Sequence, residues 1–150
     1  MELEPLEPEK PIKLVLVGER RSPTAIEKDW SWQKCQTEGE ARLCANQIFD
    51  GLEFCGIDPF DMGNVRFRNI WNDDGELLNE TIEDLLELDE EGFSIVGMGN
   101  KVQQVLDELE IEHVKIYHPA VRGKWRRKGE YSKHVRERFL QYSVINFDQN

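Results

Sequence analysis

The run Ile12-Lys13-Leu14-Val15-Leu16-Val17 is almost wholly apolar and stops at Gly18. A run that short suits a buried strand better than a buried helix. Residues 65–71, 93–96 and 113–117 read as three further strands. Between them the apolar residues return at helical spacing. Ala41, Cys44, Ile48, Leu52 and Cys55 do so within 39–55. Leu77, Leu78, Ile82, Leu85 and Leu86 do so within 76–90, and Val102, Val105, Leu106 and Leu109 after the Gly97-Met98-Gly99 turn. Tyr131, Val135, Phe139 and Tyr142 mark a last helix. Residues 19–38 show no period and read as irregular. Strands alternating with helices predict an α/β fold, a three-layer sandwich with a central four-stranded parallel sheet flanked by helices.

At 150 residues the chain has one domain's length. A single domain over 12–150 is expected, preceded by a flexible acidic tail over 1–11 that holds Pro5, Pro8 and Pro11. No stretch approaches the roughly 18 apolar residues of a membrane span. The first residues lack the basic and apolar pattern of a secretion signal. Cys35, Cys44 and Cys55 form no CxxC pair, which argues against a disulfide framework or a four-thiolate metal site. A reduced, cytoplasmic protein without metal or cofactor is expected.

The net charge of −11 disfavours an anionic partner until its distribution is considered. Residues 72–92 hold ten acids and no base, whereas 115–138 hold nine Lys or Arg against two Glu. The acidic segment can meet a basic partner protein and the basic edge can meet phosphates; both can equally be solvated surface.

Ligands of open parallel sheets bind beyond the carboxyl ends of the strands. Four segments lie there. Gly18-Glu19-Arg20-Arg21-Ser22-Pro23 offers a carboxylate able to position water or stabilise a cation, or else a surface Glu–Arg turn. His118-Pro119-Ala120-Val121-Arg122-Gly123 offers an imidazole able to donate to an anionic leaving group, or else a structural histidine. Arg122, Lys124, Arg126 and Arg127 behind it suit phosphates. Asn69 has one acceptor and two donors, enough to read a pyrimidine edge or to cap a strand. Gly97-Met98-Gly99 begins a dinucleotide fingerprint, but Val102 stands where the third glycine belongs. Trp30 and Trp32 can stack on a base or cover a flank of the core.

In order and spacing these segments resemble the uracil-DNA glycosylase superfamily over about residues 12–140. Gly18-Glu19 followed by Pro23 is similar to that family's first motif. Asn69 in Phe67-Arg68-Asn69 resembles its base-reading asparagine, and His118-Pro119-Ala120 its final motif, which precedes a DNA-inserting loop. The resemblance implies hydrolysis of the bond between a base and its deoxyribose in flipped or single-stranded DNA. His118 would stabilise the base anion, and Glu19 the sugar cation or the attacking water. Asn69 would bond the base edge and Trp32 would stack on it. Arg20, Arg21, Arg122, Gly123, Lys124, Arg126 and Arg127 would hold the strand. In one branch of the family an Asp follows where Arg20 stands, and an aromatic that blocks the thymine methyl falls near Ser22. The change to Ser22 leaves room beside the pyrimidine 5-position, so a 5-modified pyrimidine, as in some viral DNA, joins uracil as an expected substrate. The iron–sulfur branches need four cysteines, and this chain has three. A non-catalytic nucleic-acid- or protein-binding module and a nucleoside hydrolase are the alternatives.

Overall fold

A computed structural model describes residues 11–42 and 44–146. The expected tail, apart from Pro11, lies outside the described residues. Four strands, β1 (Leu14–Gly18), β2 (Val65–Asn69), β3 (Ser94–Met98) and β4 (Val114–Ile116), form one all-parallel sheet in the order β2-β1-β3-β4. Among the described residues six helices lie around it: α1 (Pro23–Lys28), α2 (Trp32–Glu38), α3 (Ala45–Phe54), α4 (Asn79–Glu90), α5 (Asn100–Glu108) and α6 (Glu130–Gln141). The chain is therefore a single-domain α/β fold.

The period-two alternation of β1 builds the layers. Leu14 and Leu16 face a core of Cys35, Ile48, Phe49, Leu52, Tyr131, Val135 and Phe139, drawn from α2, α3 and α6. Val15 and Val17 face the opposite core, with Leu85 and Leu88 of α4 and Val102 and Leu106 of α5. Both faces of β1 are fully buried, which explains a run without polar alternation.

Several boundaries differ from the sequence reading. Residues 19–38 are not irregular: they hold α1 and α2. Ser22 caps α1 with Pro23 at its start, Ser31 caps α2, and Gly39 ends α2 at φ 71°. Helices of six and seven residues are too short to show a period, and their signal lay in these capping residues alone. With Gly39 closing α2, the helix expected over 39–55 begins only at Ala45. The second strand stops at Asn69, because Ile70 is buried in the second core and Trp71 makes an isolated antiparallel bridge to Leu77. Leu77 and Leu78 consequently precede α4. The loop after β4 carries a 3-10 turn at Gly123–Arg126.

Candidate functional site

All four strands end on one edge of the sheet. Gly18 pairs with Asn69 across β1 and β2, and Met98 with Ile116 across β3 and β4. The loops that leave these ends enclose a cleft of about 280 Å³. One wall comes from Glu19, Arg20, Arg21 and Ser22, continuing into Thr24 and Ala25 of α1. The floor and far wall are Trp30, Trp32, Cys35, Cys44 and Ala45, and His118 with Ala120 closes the third side.

Half-buried His118 has its Nδ1 occupied by the Ala120 N–H at 3.0 Å. A nitrogen that accepts carries no proton, so in the neutral ring the proton sits on Nε2 and is free to be donated. Burial lowers the His118 pKa, and the nearby Glu19 carboxylate opposes that shift more weakly. The pair thus presents a neutral donor and a carboxylate to one space.

The backbone that aims His118 is fixed from α6. The buried His134 accepts the Tyr117 N–H at its Nε2 (2.9 Å), and the Tyr131 hydroxyl donates to the Tyr117 carbonyl (2.5 Å). Both backbone polar groups of Tyr117, the residue before His118, are therefore held by side chains. Burial, with Arg138 as the lesser cause, lowers the His134 pKa to about 4, so it remains a neutral acceptor near pH 7. Sequence reasoning missed this clamp. Its trace was a histidine on the apolar stripe Tyr131, Val135, Phe139.

Asn69 does not line the cleft. Its Oδ1 accepts the Trp32 indole N–H at 3.1 Å, and Trp32 stacks on Phe67 (centroids 5.3 Å apart). Asn69 and Phe67 thus orient Trp32 from behind. Asn69 stands one layer back from the place expected of a base-reading group, and its NH₂ remains its donor. Gly18 makes this arrangement possible: a β-carbon there would lie 3.2 Å from Asn69 Oδ1 and 3.3 Å from Trp32 Nε1.

The arginines divide. Arg21 is bound by Asp73 (2.5 Å to Oδ2) and Asp29 (3.1 Å); the two carboxylates raise its pKa and their own fall, Asp29 chiefly through Lys34. Arg21 is a tie between the first loop and the 72–75 turn rather than a free phosphate ligand. Asp73, its partner, lies 52 positions away in the chain. Arg20 lines the cleft and leans over Gly75. Ser22 lines the cleft, and its Oγ caps α1 by accepting the Ala25 N–H at 3.1 Å. Arg122, Gly123, Lys124, Arg126 and Arg127 do not line the cleft but follow its His118 wall in the exposed loop. Among the described residues Arg122, Lys124, Arg126 and Arg127 make no ion pair. Gln47 holds that loop by donating to the Trp125 carbonyl at 3.0 Å.

Arg42, Cys35, Cys44 and Ala45 were not foreseen in the cleft. Arg42 lies 4.1 Å from the Trp30 ring centroid and pairs with Glu40; only the chain's path between α2 and α3 brings it there. Burial raises all three cysteine pKa values, Cys55 to about 11, so they are thiols and poor nucleophiles at neutral pH. Among the described residues no group of three or more His, Cys, Asp or Glu has the arrangement of a metal site. No helix among them is long and apolar enough to cross a membrane. No protein-family model matches the chain, and no curated protein matches it.

Proposed function

We propose that the chain hydrolyses the bond between a pyrimidine, uracil or a 5-modified relative, and its deoxyribose in DNA. The observation that carries this reading is the His118 tautomer: a neutral imidazole with Nε2–H to give, sharing a cleft with the Glu19 carboxylate. The reaction has matching demands. As the bond from C1′ to the base nitrogen breaks, the electron pair leaves with the base, which becomes anionic, and the sugar becomes cation-like. A fixed neutral donor stabilises the base anion without first having to lose a proton. A carboxylate on the opposite side stabilises the sugar and orients the water that attacks C1′, whose proton balances the departing base. Trp32, propped by Phe67 and Asn69, offers an aromatic wall for the base. The cations Arg122, Lys124, Arg126 and Arg127, in no ion pair among the described residues, favour a polymer over a free nucleoside, which would need none of them.

The test is incubation with single- and double-stranded oligonucleotides containing uracil or 5-substituted pyrimidines, followed by alkaline cleavage at abasic sites. Base release is expected from at least one of them. His118→Ala should lower its rate roughly 10²–10³-fold, the typical loss for one preorganised donor, while DNA affinity stays near that of the parent. Equal rates in the two proteins would remove His118 from the chemistry.

A further inference from the structure

A second groove, about 240 Å³, adjoins the cleft and shares His118 and Ala120 with it. Its other lining residues are Gly99, Asn100, Tyr117 and Val121, with no acidic side chain among them. We propose that this groove is a second nucleobase subsite, which takes the base of the nucleotide adjoining the one held in the cleft. The inference rests on the reading of the cleft as a nucleotide site and names its partner more narrowly, as a single strand of at least two nucleotides.

The aromatic ring comes first. Tyr117 is 38% exposed although it lies within an aromatic cluster. It stacks on His134 with centroids 4.2 Å apart and planes 5° from parallel, and the Trp125 centroid is 5.0 Å away. Its backbone N–H and carbonyl are both bonded by α6 side chains. The ring is therefore ordered in advance, and a base that stacks on it need not supply the cost of immobilising it. The charge comes next. Lys124 Nζ lies 4.5 Å from the Trp125 centroid and Arg138 5.9 Å from that of Tyr117. Arg122, Arg126 and Arg127 flank Trp125 along the chain and add cations suited to a phosphate backbone.

The strandedness follows from the position of His118. Two neighbouring bases in a duplex are stacked and paired. Bases lodged in two separate spaces that both border on His118 and Ala120 are neither, so the strand that fills both is single where it does so.

The experiment compares three ligands by calorimetry on the full chain: thymidine 5′-phosphate, the dinucleotide pTpT, and pT joined to an abasic tetrahydrofuran residue. The last has the phosphates of pTpT without its second base. pTpT should bind roughly tenfold more tightly than the abasic ligand, the range of one base–aromatic stack. Tyr117→Ala should erase that difference and leave thymidine 5′-phosphate affinity unchanged, while Tyr117→Phe should keep it. Should the alanine variant fail to fold, Tyr117→Leu, which keeps an apolar side chain against His134, should give the same loss. Equal binding of pTpT and the abasic ligand, or a difference that survives loss of the ring, overturns the subsite alone. Failure of all three to bind overturns the nucleotide reading with it. A Tyr117-dependent gain without base release from any oligonucleotide would uphold the groove and refute the hydrolase.

Discussion

His134 joins folding to the candidate site through one nitrogen. Its pKa is about 4 in the folded chain against an ordinary 6.5. Above pH 6.5 neither the folded nor the unfolded state carries its proton. Between about 6.5 and 4 the unfolded chain takes one up and the folded chain does not, so stability falls with pH, by about 3 kcal/mol in all. His134→Gln keeps an acceptor for the Tyr117 N–H and cannot titrate. Urea unfolding at pH 7 and pH 4.5 should show a smaller acid loss for the variant, and parallel losses would refute the assignment. A lone histidine in an apolar stripe announces that it is buried, but not which amide it accepts from. That partner sits 17 residues away and is set by the packing of α6 against β4, so periodicity could not supply it. His118 is the contrary case: its place at a strand end was visible because the strand, the following proline and the basic run are all local.

At the scale of elements, the buried Gln36 amide joins Trp32 and Gln33 in fastening α2 to β2. Gln36 Nε2 donates to the Pro59 carbonyl at 2.8 Å and to the Val65 carbonyl at 2.7 Å. Gln36→Leu would leave both carbonyls unsatisfied in a buried place, and should cost about 1–3 kcal/mol in denaturant unfolding. Because α2 carries Trp32, the same variant should weaken nucleotide binding; an unchanged unfolding midpoint would show the bonds to be incidental. The strands and longer helices were legible because each buries a continuous face: β1, α4, α5 and α6 all announce themselves by spacing. α1 and α2 were not, because their contribution is a turn or two of backbone held by Ser22 and Ser31 caps. The arginines illustrate the same limit. Arg20 and Arg21 are neighbours of one type that both line the cleft, and only the fold reveals that Asp73, 52 positions from Arg21, occupies that one of the two.

Over the whole molecule, the opposed charges acquire different roles. Within the acidic segment Asp73 and Asp84 are engaged with Arg21 and Arg68, whereas the cations of 122–127 are unpaired among the described residues. If those cations meet phosphates, binding of single-stranded DNA should weaken with salt by about −0.7 in log–log slope for each contact. Arg126→Gln with Arg127→Gln should reduce the magnitude of the slope by about 1.4, and a slope indifferent to both changes would assign them to plain surface. The cleft is also unevenly supported. β1 and α6 contribute fully buried side chains to the core, but α1, which supplies Thr24 and Ala25 to the cleft's rim, buries none. Its anchorage is the Ser22 cap and the Arg21–Asp29 pair just beyond its other end. The aperture is thus framed by a segment to which folding is nearly indifferent. Variation along α1 can widen, narrow or recharge the mouth while the scaffold beneath stays the same, so selection has a dial for what is admitted that is separate from the parts that react.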